Sequence, residues 1–124
     1  MKIETNLPLE SLAIKALEDL KAQNIVKLDV RSLTTITDTM LISTGTSDQH
    51  IRSIGAHVLH TVKNAGYSLE HPQDLDTGDW VLIDLGDVVV HIMRQSARDY
   101  YALEKLWDID TEEKRANLSH SAQA

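Results

Sequence analysis

The sequence predicts an α/β (α+β) single domain, a mixed β-sheet with helices mainly on one face. Three observations point there. Two runs rich in β-branched residues, Trp80–Leu85 and Val88–Met93, flank Gly86-Asp87, a two-residue hairpin signal. Two stretches, Leu9–Leu20 and Ile51–Ala65, carry apolar residues at helical spacing. Their order along the chain is helix, strand, strand, helix, short strand, hairpin, helix, which places helices between strands of one sheet.

The hairpin sets its own register. A two-residue loop makes Leu85 face Val88, Ile83 face Val90, Leu82 face His91 and Trp80 face Met93. Side chains alternate across a strand. Val81, Ile83, Leu85, Val88, Val90 and Ile92 then form one wholly apolar face, which is the core face. Trp80, Leu82, Asp84, Val89, His91 and Met93 form the other. That mixture of tryptophan, methionine and valine beside a carboxylate and an imidazole suits a surface covered by something else. The cover is either a partner or a helix of the same chain.

The remaining elements follow in order. Leu9, Leu12, Ala13, Ala16, Leu17 and Leu20 mark an amphipathic helix, with Pro8 in its first turn, Asn6 or Leu7 as cap and Asn24 as stop. Val26, Leu28 and Val30 alternate with charged residues as a half-buried strand. Thr34 to Asp38 is turn-like. Met40-Leu-Ile-Ser43 is apolar on both faces at its start and is expected at the centre of the sheet. Gly45-Thr46-Ser47 opens the second helix, with Thr46 and Gln49 as a capping box and Gly66 as its end. A brief strand is expected over Tyr67–Glu70 and a polar loop over His71–Asp79. Ser96 with Asp99 caps a last helix from Ala97 to about Trp107. The domain is expected over residues 1–107, with 108–124 a polar, disordered tail.

Composition bounds the chemistry. The chain has 124 residues, enough for one domain with a sizeable core. It has no cysteine, which removes disulfides, thiolate metal sites and a cysteine nucleophile. The start does not read as a signal peptide and no apolar run reaches membrane-spanning length, so a cytoplasmic protein with no membrane partner is expected. A formal charge of −7 argues against a direct grip on nucleic acid. The acidity is uneven: no Lys or Arg falls between Lys63 and Arg94, where Glu70, Asp74, Asp76, Asp79, Asp84 and Asp87 all lie. Such a block suits a basic protein partner, and it also serves ordinary solubility. Four of the five aromatics, Trp80, Tyr100, Tyr101 and Trp107, fall in the hairpin and the segment after it.

Gly45-Thr46-Ser47 at a helix start could cradle a phosphate, and glycine-serine before a helix suits a nucleotidyltransferase. The lysine and glycine spacing of a P-loop are missing. The paired carboxylates that hold metal ions on one strand are also missing, since Asp74-Leu75-Asp76 lies in a loop and Asp84 and Asp87 flank a turn. A plain helix cap explains the motif. His57 and His60 stand three apart on the second helix without a carboxylate at matching spacing, so a solvated polar face explains them. Arg98 in a first helical turn opposes the helix dipole and calls for a carboxylate within the fold or on a partner. No catalytic residue, metal site or cofactor is expected.

The run Asp79-Trp-Val-Leu-Ile-Asp-Leu-Gly-Asp-Val-Val-Val-His91, followed by Arg98-Asp-Tyr-Tyr-Ala-Leu-Glu-Lys-Leu-Trp107, resembles the ribosomal silencing factor family (RsfS, also called Iojap). Ile36-Thr-Asp-Thr-Met-Leu-Ile-Ser-Thr-Gly-Thr-Ser47 is similar to its earlier block. The resemblance covers Leu9 to Trp107. Glu70-His71 departs from it, the family having Glu-Gly there. The resemblance implies a non-enzymatic translational repressor with a nucleotidyltransferase-like topology. It implies binding to the large ribosomal subunit at ribosomal protein fourteen, blocked joining of the small subunit under nutrient limitation, and a homodimer when free. It also turns the Trp80 face into the expected docking surface. Trp80, Leu82, Asp84, Val89, His91 and Met93 then bind the partner, with Arg98, Tyr101 and Glu104 of the last helix. The rival is a nucleotide-binding or nucleotidyl-transferring enzyme built on Gly45-Thr46-Ser47.

Overall fold

The computed structural model describes residues 8–69 and 73–102. The elements are α1 (Leu9–Asp19), β1 (Gln23–Asp29), β2 (Thr39–Thr44), α2 (Asp48–Asn64), β3 (Trp80–Asp84), β4 (Val88–Met93) and α3 (Gln95–Tyr101). The four strands form one sheet in the order β1-β2-β4-β3. β1 with β2 and β3 with β4 run antiparallel, while β2 and β4 run parallel. The sheet is mixed, and β2 is central, with every residue buried.

The hairpin register is the one its loop dictates. Trp80 pairs with Met93, Val81 with Ile92, Leu82 with His91, Ile83 with Val90 and Asp84 with Val89. The Leu85 N–H donates to the Val88 carbonyl at 2.8 Å. Gly86 takes φ 93°, the positive first-position angle of a type II′ hairpin. The core face is buried throughout. It packs against Ala13, Ala16 and Leu17 of α1 and Ile51, Ile54, Val58 and Val62 of α2, together with Leu41 of β2. Both long helices therefore cover one side of the sheet. Ser43 of β2 is fully buried, and its hydroxyl has no hydrogen-bond partner among the described residues.

The other side holds a smaller core: Leu28, Val30, Met40, Ile42, Met93 and Ala97, with Val26 and Trp80 packed against it. Its cover is α3. Part of the mixed hairpin face is thus covered by the chain itself.

Several boundaries differ from the expectations. Pro8, at φ −60° and ψ 144°, is itself the N-cap of α1, so neither Asn6 nor Leu7 is needed there. α1 stops at Asp19, where Lys21 turns to φ 63°. Asn24, at φ 50°, sits inside β1 at a register shift instead of ending the helix. No strand forms over Tyr67–Leu69; Tyr67 instead packs against the main core, and Glu70 lies outside the described residues. α3 starts at Gln95, with Arg94 as N-cap, and ends at Ala102 in a left-handed conformation, φ 51°. The Ser96–Asp99 cap does not form, and Asp99 accepts from Gln95 Nε2 instead. Trp107 and the tail from 108 lie outside the described residues.

Ile83 is fully buried against both long helices. Ile83→Ala leaves a cavity and should cost about 2–5 kcal/mol of stability, a large share of the roughly 5–15 kcal/mol such a domain has. Urea unfolding checks it. A loss below about 1 kcal/mol would place the core on the wrong hairpin face, as a one-residue slip does.

Candidate docking surface

The second hairpin face divides into an open and a closed part. Leu82 is 46% exposed, Asp84 is exposed, and Trp80 and Val89 are half-buried. His91 is only 5% exposed and Met93 is 0% exposed. This corrects the sequence reading of six equivalent surface residues. Met93 is sealed by Ala97 and the smaller core, and His91 lies between Leu82 of β3 and Ile42 of β2 in the register. Neither presents a surface to a partner.

The last helix contributes unequally too. Because α3 spans only Gln95–Tyr101, Arg98 stands in its last turn, where a cation favours the helix dipole. The expected conflict with the dipole does not arise. Arg98 is buried, and its Nη1 donates to Thr44 Oγ1 at 2.8 Å, tying α3 to the end of β2. Tyr101 is 50% exposed, and its ring centroid lies 4.7 Å from that of Trp80. Tyr100, one of the clustered aromatics but not among the expected docking residues, is 82% exposed and meets Tyr101 edge-on at 5.0 Å. The consecutive tyrosines were the available signal. Glu104 lies outside the described residues.

Trp80 is fixed from below. Its Nε1–H donates to His91 Nδ1 at 3.0 Å. That bond requires an unprotonated Nδ1, and burial pushes the imidazole down to about 4. The Trp80 carbonyl accepts from the Thr77 hydroxyl. Beside Trp80, Asp74, Thr77, Asp79, Leu82 and Tyr101 complete an open groove of about 500 Å³. The loop before β3 is held by Gln73, whose amide accepts from the Asp84 N–H at 3.1 Å and donates to its carbonyl at 3.3 Å. The Arg94 N–H donates to the Asp79 carbonyl at 2.9 Å. Aromatic floor and acidic rim are thus held together by backbone bonds.

The phosphate-cradle motif is differently disposed. Ser47, not Thr46, caps α2, its Oγ accepting from the His50 N–H at 3.0 Å. Thr46 N–H donates to His50 Nδ1 at 2.9 Å, and Gly45 N–H to the Met93 carbonyl at 3.0 Å. Three amides of the would-be cradle, those of Gly45, Thr46 and His50, are already bonded inside the fold. Gly45 is required by close packing, since a Cβ there would lie 2.6 Å from Ile51 Cγ1. Asp76 points to Arg52 at 3.4 Å, and Asp84 Oδ1 accepts from the Gly86 N–H. Their carboxylates do not face one another as a metal-binding pair does. His57 bonds to Asp19 and His60 to Asn64, so the two histidines have separate partners.

Fold and site together define a small α+β domain with two helices over one sheet face and an aromatic, acidic groove on the other. The sequence profile of the family described as "Ribosomal silencing factor during starvation" (RsfS) matches residues 4–124. The ribosomal silencing factor RsfS of Chromobacterium violaceum is 40% identical over 99 residues, covering 80% of this chain and 81% of that protein. A crystal structure of a protein from the same organism superposes with a TM-score of 0.77 at 40% identity, covering 81% of this chain and 83% of that one. A more distant mouse relative, named for mitochondrial assembly of the ribosomal large subunit, is 27% identical over 79% of this chain and 44% of its own length. The chain belongs to the ribosomal silencing factor family.

The His91 burial has a pH signature. Its folded value lies below the ordinary histidine value, so stability is whole above about pH 6.5 and falls as pH drops toward about 4. Across that window the unfolded chain binds a proton that the folded chain refuses, and the loss reaches roughly 3 kcal/mol. His91→Asn should flatten this segment of the stability profile relative to the parent chain in urea melts at stepped pH. Parallel profiles would show that His91 does not titrate as its burial requires.

Proposed function

We propose that this protein silences ribosomes as a non-enzymatic binding factor. It binds the large ribosomal subunit at ribosomal protein fourteen, on the face that meets the small subunit, and blocks subunit joining when nutrients run short. The observation that carries the reading is the uncovered aromatic patch of β3 and α3, rimmed by carboxylates, in a chain of the silencing-factor family. Tryptophan and tyrosine anchors beside charge of one sign suit a basic protein surface. The mouse relative's name, with its large-subunit assembly, supports the choice of subunit.

In this reading Trp80, Leu82, Asp84, Val89 and Tyr101 meet the partner, with Glu104 from the following segment. His91, Met93 and Arg98 support them from beneath. The factor acts in the cytoplasm, and the domain responsible spans residues 1–107. Free chains pair as a homodimer through the same sticky patch.

Added to separated subunits, the purified protein should shift sedimentation from joined ribosomes to free subunits. The clean test of the surface is Leu82→Ala with Tyr101→Ala, both side chains being half-exposed. The pair should weaken large-subunit binding by about 10- to 100-fold and leave the melting temperature close to that of the parent. Trp80→Ala is a poorer probe because it also strands the buried His91 acceptor. Unchanged joining at molar excess of protein over subunits would overturn the proposal.

Analytical ultracentrifugation of the free chain should show a dimer that dissolves when large subunits are added. A strict monomer at high micromolar concentration would remove the dimer from the proposal.

A further inference from the structure

The groove beside Trp80 offers a particular chemistry to whatever enters it. Its lining residues are Asp74, Thr77, Asp79, Trp80, Leu82 and Tyr101. The indole N–H is engaged by His91 and the Thr77 hydroxyl by the Trp80 carbonyl. These two donors are therefore directed inward, which leaves the Tyr101 hydroxyl, itself also an acceptor, as the remaining side-chain donor of the lining. What remains toward solvent is the π-surface of Trp80 and Tyr101, the side chain of Leu82, and the carboxylates of Asp74 and Asp79. Asp74 accepts one bond, from the Asp76 N–H. The Asp79 carboxylate pairs with no cation among the described residues. The chain's own arginines nearby are directed elsewhere: Arg52 to Asp76, Arg94 to Asp48 and Arg98 to Thr44.

Two negative charges over an aromatic floor repel phosphate and reject an acidic peptide. They favour a flat, donor-rich cation. A guanidinium stacks on aromatic faces while its edge donates to carboxylates, and it desolvates more readily than an ammonium group. We propose that this groove receives one arginine side chain of the protein partner, its plane against one ring of the tilted Trp80–Tyr101 pair and its N–H groups on Asp74 and Asp79. The proposal rests on the docking reading above and specifies the partner group that reading leaves open. Charge complementarity is what selects the occupant. It also makes position, more than overall acidity, the source of specificity.

The test uses full-length protein and isolated large subunits. Subunits are treated with phenylglyoxal, which modifies arginine, with and without saturating protein, and ribosomal-protein peptides are read by mass spectrometry. One arginine should be protected by the parent chain. The variant Asp74→Asn with Asp79→Asn keeps the shape of both exposed side chains and removes their charge. It should melt like the parent, bind about tenfold more weakly, as expected for loss of one well-placed charge contact, and at saturation leave that arginine reactive. Acetylation of lysines is run in parallel. Binding that protects no arginine, or protects a lysine in its place, overturns the arginine site and leaves the docking reading standing. Equal protection by parent and variant also overturns it, since the carboxylates would then contribute nothing. Failure of the parent chain to bind large subunits at all overturns the docking reading itself.

Discussion

The parallel pairing of β2 with β4 at the middle of the sheet is the constraint on which the other elements depend. Two adjacent strands flanked on both edges bury side chains on both faces, and each face then needs a cover. α1 and α2 supply one cover. Among the described residues, the other face has α3, one short helix, and the indole of Trp80 as its cover. That cover seals Met93, Met40 and Ile42 but ends before Leu82. Among the described residues, the second cover is smaller than the sheet face it lies on, and the patch is what it leaves open.

This geometry also explains how one face can hold both core and surface. Strands β4 and β3 lie side by side, but β4 is internal and β3 is an edge. His91 on β4 is therefore enclosed by neighbours on each side, whereas Leu82, its partner on β3, has solvent beyond it. A buried imidazole is tolerated because the neutral ring accepts a hydrogen bond from the indole. The same bond holds the indole at one tilt against Tyr101. A single polar contact thus serves packing on one side and presentation on the other.

The hairpin was legible in full because its loop, its alternation and its β-branched runs all agree. The two helical stripes were legible for the same reason. Burial on the mixed face was not. Whether Met93 is core or surface depends on where α3 lands, which is a tertiary matter that strand periodicity does not encode. Arg98 illustrates a smaller failure. A start two residues earlier and an end at Tyr101 instead of about Trp107 moved it from the dipole's unfavourable end to its favourable one. The cap of α2 slipped by one residue from Thr46 to Ser47 because His50 reaches back to the Thr46 amide, a role that sequence rules give to Glu or Gln. The brief strand expected over Tyr67–Glu70 does not form over its described residues, where Tyr67 and Leu69 pack against the main core instead.

Gly55 on α2 faces away from the groove, yet it sets where the rim stands. A methyl group at this position would come within 2.9 Å of Leu75 Cδ2 and 3.4 Å of Val81 and Ile83. Leu75 sits between Asp74 and Asp76 in the loop that carries the carboxylates, and it points inward to the core while they point out. The depth to which Leu75 sinks therefore fixes the height of the acidic rim. The patch is thus tied to the core from behind: a larger side chain at this helix position must first turn Leu75 aside, and it reaches the acidic loop through that residue.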